Sequence, residues 1–204
     1  MSARAPAVLA VNAGSSSLKF ALYPHVGGTV EAAFLSGCFE GLEPGGTPML
    51  GTRHGDFDAP LATGGSDSVG AAPTALARVP AVHAVGIRIE AIAHRIVHGG
   101  ERYAGSVLLD DQSLAYLATL APLHQPHNLD GVLAFARSYP GLAQIGCFDT
   151  AFHASLPEVE RTFALPQSLR RAAPGSGATA FMACPTAMSA TAWPSAARAH
   201  EGGC

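Results

Sequence analysis

A tight polar turn between two apolar runs constrains this chain more than any other feature. Ala7 to Val11 is a short apolar run that reads as a buried strand, and Leu18 to Tyr23 reads as a second. Between them lie Gly14 and the three serines Ser15, Ser16 and Ser17, which suit a hairpin turn. Lys19 follows at once, and it is the chain's one lysine: of 12 Lys and Arg residues all the others are arginine. Backbone N–H groups, three hydroxyls and an ammonium therefore gather at one end of a hairpin. That set suits a polyphosphate, with many donors, a compact charge and no bulky side chain blocking the backbone. The residues alone equally allow a polar hairpin turn with a chance lysine. They do not make a Walker A loop, because Lys19 is followed by Phe20 in a strand-like run rather than by Ser or Thr opening a helix.

Further along, Gly41 to Pro73 is rich in Gly, Pro, Asp and Thr and reads as irregular or hairpin-like, and Ser66 to Val85 has room for a short helix. Ala91 to Val97 is a largely apolar run ending at Gly99-Gly100, as a buried strand facing a site would. Ser113 to Leu120 is helix-like. Asn128 to Tyr139 reads as a helix, with Asn128 as its cap, Leu129, Val132, Leu133 and Ala136 at helical spacing, and Pro140-Gly141 as its stop. Ala143 to Phe148 is a further strand. Strand, helix and strand with polar residues at the strand ends predict an α/β lobe whose ligands sit at the carboxyl edge of a sheet.

Four ordered motifs resemble those of the acetate kinase family, within the actin/Hsp70/sugar-kinase superfamily. They are Asn12 to Phe20 (N-A-G-S-S-S-L-K-F), His94 to Glu101 (H-R-I-V-H-G-G-E), Ala121 to Leu129 (A-P-L-H-Q-P-H-N-L), and Phe148 to His153 (F-D-T-A-F-H) followed by Ala164-Leu165-Pro166. The resemblance runs from about Val8 to Pro166 and is weak over Gly41 to Val85. It implies an α/β fold with a mixed-sheet N-terminal lobe of the actin-like, ribonuclease H-like type. It also implies a phosphotransferase making acetyl phosphate and ADP from acetate and ATP, with Mg²⁺.

An acetate nucleophile is already ionised at neutral pH, so it needs positioning and charge relief more than a base. By the resemblance Arg95 holds the carboxylate, as a guanidinium fork can do bidentately. Val97 and Leu123 line a small apolar pocket for the acetate methyl, although core packing explains both equally well. Lys19 contacts ATP phosphate and Asn12 is associated with Mg²⁺; an amide that satisfies the turn backbone is the alternative for Asn12. Asp149 matches the position assigned to the catalytic acid or base; because acetate arrives deprotonated, orienting Mg²⁺ or water is the expected role, with capping of the next turn as the alternative. His94/His98 and His124/His127 have spacings that suggest zinc, but no cysteine or carboxylate pattern joins them. Structural roles are expected for them, with His124 near the site.

The character changes near the end. From Ala172 to Ala197 there is no charged residue, and Pro174, Pro185 and Pro194 interrupt any period. The family motif I-R-R-Y-G-F-H-G-x-S-Y belongs in this region and is absent as written. Read from the third base of the Gly175 codon, with wobble bases free, the codons for Gly175 to Thr186 are compatible with Ile-Arg-Arg-Tyr-Gly-Phe-His-Gly-Leu-Ser-Tyr. Met182-Ala183 fixes the second glycine of that reading. The expectation is a frameshift between about Pro166 and Gly175, giving a truncated lobe over residues 1–171 and a disordered, out-of-frame tail over 172–204. The family's transition-state histidine and its second lobe would then be missing. The resemblance makes the chain an acetate kinase-type phosphotransferase by descent that would be inactive as translated; the alternatives are a non-catalytic truncated fragment and a propionate or butyrate kinase relative.

The remaining expectations are broad. Hydrophobic content of 48% with 13% charge argues a folded protein, and a net charge of −3 gives no electrostatic footprint for nucleic acid. The N-terminal apolar run, Ala7 to Val11, is too short for a signal-peptide core or a membrane span. Cys38, Cys147, Cys184 and Cys204 show no metal or disulfide spacing, so a cytoplasmic setting is expected. The resemblance implies a homodimer for intact members of the family and not for this chain.

Overall fold

The computed structural model describes residues 5–42, 49–54, 57–58, 61–62, 86–120, 125–151, 156–161, 166 and 168. The first hairpin forms as the turn chemistry requires. Strand β1 (Ala5–Ala13) pairs antiparallel with β2 (Leu18–Val26), and Gly14 N–H donates to Ser17 O at 2.8 Å to close the turn. The chain continues through β3 (Thr29–Val30), β4 (Leu35–Glu40), β5 (Met49–His54), β6 (Phe57–Asp58) and β7 (Leu61–Ala62), each antiparallel to its partner. Strand β8 (Ile87–Ile96) then returns parallel to β1, and β10 (Ala143–Phe148) lies parallel to β8. A short strand β9 (Val107–Leu108) closes the edge antiparallel to β10. The order across the sheet is β6-β5-β4-β2-β1-β8-β10-β9, a mixed sheet.

Among the described residues three helices accompany it: α1 (Asp111–Leu117), α2 (Gln125–Ser138) and α3 (Glu158–Arg161). Helix α1 starts where its sequence offers a reciprocal cap: Asp110 accepts from Ser113 N–H at 2.7 Å, and Ser113 Oγ accepts from Asp110 N–H at 2.8 Å. Helix α2 packs Phe135 into a core formed by Leu9, Val11, Phe20, Leu22 and Ile92. Leu129 and Val132 of α2 meet Leu117 of α1 over Ile96 and Phe148 in a second cluster. An apolar helix face over an apolar sheet face explains why these segments dock.

The α/β mixed-sheet lobe is as the sequence predicts, with differences of detail. Strands β1 and β8 extend beyond the expected runs because Ala5 to Ala7 and Ile87 to Ile89 pair with each other past a register shift, and β2 extends because Pro24 pairs with Ala7 and His25 and Val26 pair with β3. Strand β4 was not expected, since Leu35 to Glu40 is short and contains a glycine. Part of the hairpin-like 41–73 segment is antiparallel strand. Helix α1 begins two residues earlier than expected. Helix α2 starts at Gln125, so Asn128 lies within its first turns and is not its cap; its amide is engaged by two strand ends instead. The helix expected within Ser66–Val85 and the tail from Ala172 lie outside the described residues.

Candidate carboxylate and phosphate site

Parallel pairing of β1, β8 and β10 brings three carboxyl ends to one edge of the sheet. That edge carries Asn12 at the end of β1, Arg95 near the end of β8, and Asp149 just past β10. Side chains alternate across a strand. His94 meets Phe135 of α2 edge-on at 5.4 Å, so Arg95 points from the opposite face of the sheet.

Arg95 is the hub. Its Nε donates to Asp149 Oδ1 at 3.0 Å, its Nη2 donates to Asp149 Oδ2, and its Nη1 donates to Asn12 Oδ1 at 3.2 Å. The Arg95 and Asp149 side chains are largely buried, at 32% and 13% exposure, so the pair is shielded more than a surface ion pair. A guanidinium offers five N–H donors, and three are committed to these partners. The others are available to an incoming anion. Burial raises the Asp149 carboxyl above its ordinary pKa, and Arg95 opposes that shift through its hydrogen bonds and charge.

Lys19 stands directly opposite Asn12 in the β1/β2 register and is exposed. Directly opposed residues share a face, so its ammonium rises from the same side as Asn12. Val97 is half-buried, and its backbone N–H donates to Asn128 Oδ1 at 3.0 Å. Leu123 and His124 lie outside the described residues.

The turn after β8 is shaped by its glycines. Gly100 has φ +64°, and an added Cβ would come within 2.1 Å of the Tyr116 hydroxyl; one at Gly99 would sit 2.8 Å from Phe148 Cγ. Thr150 Oγ1 accepts from Gly99 N–H at 3.0 Å, and Gln125 Nε2 donates to His98 O at 2.9 Å. His98 Nδ1 accepts from Gly100 N–H at 2.7 Å, which fixes the proton on Nε2, and burial lowers its pKa.

Asn128, Gln125 and Thr150 were not singled out from sequence as part of this arrangement. In sequence they are uncharged polar residues, with Gln125 and Asn128 three apart ahead of the apolar Leu129 and Val132; the burial of all three appears only in the structure. Among the described residues no group of three or more His, Cys, Asp or Glu could hold a metal ion. His94 is buried against Phe135 and bonded to Gln144 at 2.6 Å, a structural setting. No helix among the described residues is long and apolar enough to cross a membrane.

The donor set also bears on Mg²⁺. Asn12 and Asp149 offer an amide oxygen and a carboxylate, each with a further lone pair beyond its bond to Arg95. Mg²⁺ commonly uses one or two protein oxygens together with waters and substrate phosphates. This pair fits an ion arriving with a polyphosphate, not a protein cage that holds one alone.

Comparison with known proteins finds relatives over most of this chain. A model of the acetokinase family matches residues 7–173. An acetate kinase of Shewanella loihica is 41% identical over 170 residues, which cover 80% of this chain and 42% of that enzyme. One from Ectopseudomonas mendocina is 43% identical over 169 residues, covering 80% of this chain and 41% of its own length. The crystal structure of Porphyromonas gingivalis acetate kinase superposes with a TM-score of 0.68 at 32% identity, over 82% of this chain and 43% of that one. A propionate kinase from Francisella tularensis gives a TM-score of 0.66 at 29% identity, again over 82% of this chain and 43% of that one. The chain thus spans about two-fifths of the length of these relatives.

Proposed function

Because the chain belongs to the acetokinase family, we propose that its strand-end cluster is the acyl-acceptor and phosphoryl side of an acetate kinase site. In the whole reaction an acetate oxygen forms a bond to the γ-phosphorus of ATP, the bond from that phosphorus to the β–γ bridging oxygen breaks, and ADP leaves with the electron pair. Arg95, held by Asp149 and Asn12, presents its uncommitted N–H groups to the carboxylate and then to the transferring phosphoryl group. Asp149 orients Arg95 and does not act as a base, since the acceptor is already ionised. Lys19 offers its ammonium to phosphate beside Asn12. Val97, half-buried two residues past Arg95, bounds the methyl of the acid, and Leu123 is assigned the same role by its motif alone. Bound Mg²⁺, held by Asn12 and Asp149 through water and phosphate, would supply charge neutralisation at the phosphates. Propionate is the alternative acceptor, supported by the likeness to a propionate kinase.

The observation that carries this reading is the Arg95–Asp149–Asn12 cluster at three parallel strand ends. Turnover by these 204 residues alone is a separate matter. We read residues 1–171 as one lobe and residues 172–204 as out-of-frame, a reading supported by a family match that reaches only residue 173. The test traps acetyl phosphate as its hydroxamate from ATP, Mg²⁺ and acetate, comparing the 204-residue chain with a form whose reading frame is restored between codons 166 and 175. The expected result is product from the restored form and none from the 204-residue chain. Equal rates would overturn the reading.

A further inference from the structure

The hydrogen-bonded ladder between β1 and β8 ends at Val11↔His94, just before the residues that build the site. Beyond it, Ala13 C=O and Val97 N–H have no ladder partner in each other, and backbone groups this close to a core need one. A single side chain serves both. Asn128 Nδ2 donates to Ala13 O at 2.8 Å, and Asn128 Oδ1 accepts from Val97 N–H at 3.0 Å. Ala13 follows Asn12 directly, and Val97 lies two residues past Arg95. Asn128 is 6% exposed, so water does not readily replace it.

The helix that carries Asn128 is set close to the same strand end. One turn on, Gly131 leaves α2 so near β1 that an added Cβ would stand 3.1 Å from Ala13 Cβ. On the other side Gln125 Nε2 holds His98 O at 2.9 Å. The start of α2 therefore grips both strand ends from the face opposite Arg95. A fork such as Arg95 binds a carboxylate well only when its backbone is placed to within about 0.5 Å.

We infer that Asn128 is a positioning residue: its amide sets the separation of the β1 and β8 ends and thereby the placement of Asn12 against Arg95. The inference rests on the reading of that cluster as a carboxylate site, but its test does not depend on it. The experiment uses the 204-residue chain with ¹⁵N labelling, following the Arg95 Nε–H and Asn12 side-chain amide resonances without ligand, then the dissociation constant for acetate. Asn128→Ala removes both bonds. Asn128→Asp keeps the acceptor for Val97 N–H and loses the donor to Ala13. Val132→Ala, buried on the same helix, is the control for simple loss of packing.

The expected result is that Asn128→Ala shifts both resonances and weakens acetate about tenfold, as loss of a group that orients a ligating side chain commonly does. Asn128→Asp should move the Asn12 amide more than Arg95 Nε–H. Val132→Ala should lower the melting temperature and leave both resonances in place. If Asn128→Ala does not fold, Asn128→Asp against Val132→Ala carries the same comparison. Resonances that shift no more in the Asn128 variants than in Val132→Ala overturn the inference. Absence of acetate binding by the unsubstituted chain overturns the functional reading instead, while the resonances still decide the role of Asn128.

Discussion

His94 should make this lobe sensitive to acid over a defined range. The imidazole is buried on β8, its Nε2 donating to Gln144 Oε1 at 2.6 Å and its ring set edge-on to Phe135. Desolvation by burial lowers its pKa from 6.5 to about 4, against a smaller opposing contribution from Gln144. A folded-state pKa below the unfolded one means that the unfolded chain binds the proton more readily between the two values. Stability from the neutral ring is therefore complete above about pH 6.5 and is lost progressively as pH falls towards 4. The full shift corresponds to about 3 kcal/mol, of which about 2 kcal/mol is gone by pH 5. The measurement is urea unfolding at pH 7 and pH 5 for the natural chain and for His94→Gln, which retains a side-chain donor but cannot titrate. The other ionisable groups are common to both, so the difference between the two pH dependences isolates His94. The natural chain should lose about 2 kcal/mol more than the variant between those pH values. Parallel losses would refute the argument from burial.

Three further outcomes follow from the same geometry. Arg95→Lys keeps the charge and loses the fork, so it should weaken acetate binding by roughly tenfold or more in a titration, because the three N–H groups of an ammonium cannot replace the planar five that bind Asp149 twice, Asn12 once and leave two for a ligand. Gly100→Ala forces a side chain into a left-handed backbone and against the Tyr116 hydroxyl, and should cost about 2 kcal/mol or more by denaturant unfolding. Asp110→Ala removes the acceptor side of the α1 capping box and should lower the denaturant midpoint, with m unchanged.

Much of the fold and the cluster was legible in the sequence because the elements that matter have strong local patterns. The β1–β2 hairpin announced itself through two apolar runs around a Gly-Ser turn, and β10 falls on the expected Ala143–Phe148. Arg95 and Asp149 stand at the ends of apolar runs, where an α/β sheet presents its ligands, and the structure brings them into contact. What escaped was non-local. The role of Asn128 depends on Ala13, 115 residues away, so its local context suggested only a helix cap. Strand β4 owes its existence to pairing with β2 and β5 more than to its own propensity. The dependence of the turn at Gly100 on Tyr116 likewise required the packing of α1 to become visible.

If the Arg95 cluster is a carboxylate site, the chain binds acetate through it. Saturation-transfer NMR with acetate on the 204-residue chain should show saturable binding that Arg95→Gln abolishes or weakens by about 10- to 100-fold, the range for losing a charge-assisted pair of hydrogen bonds. Amide spectra of both proteins establish that the variant is folded. Binding that is absent from the natural chain, or equal in the two proteins, would contradict the claim.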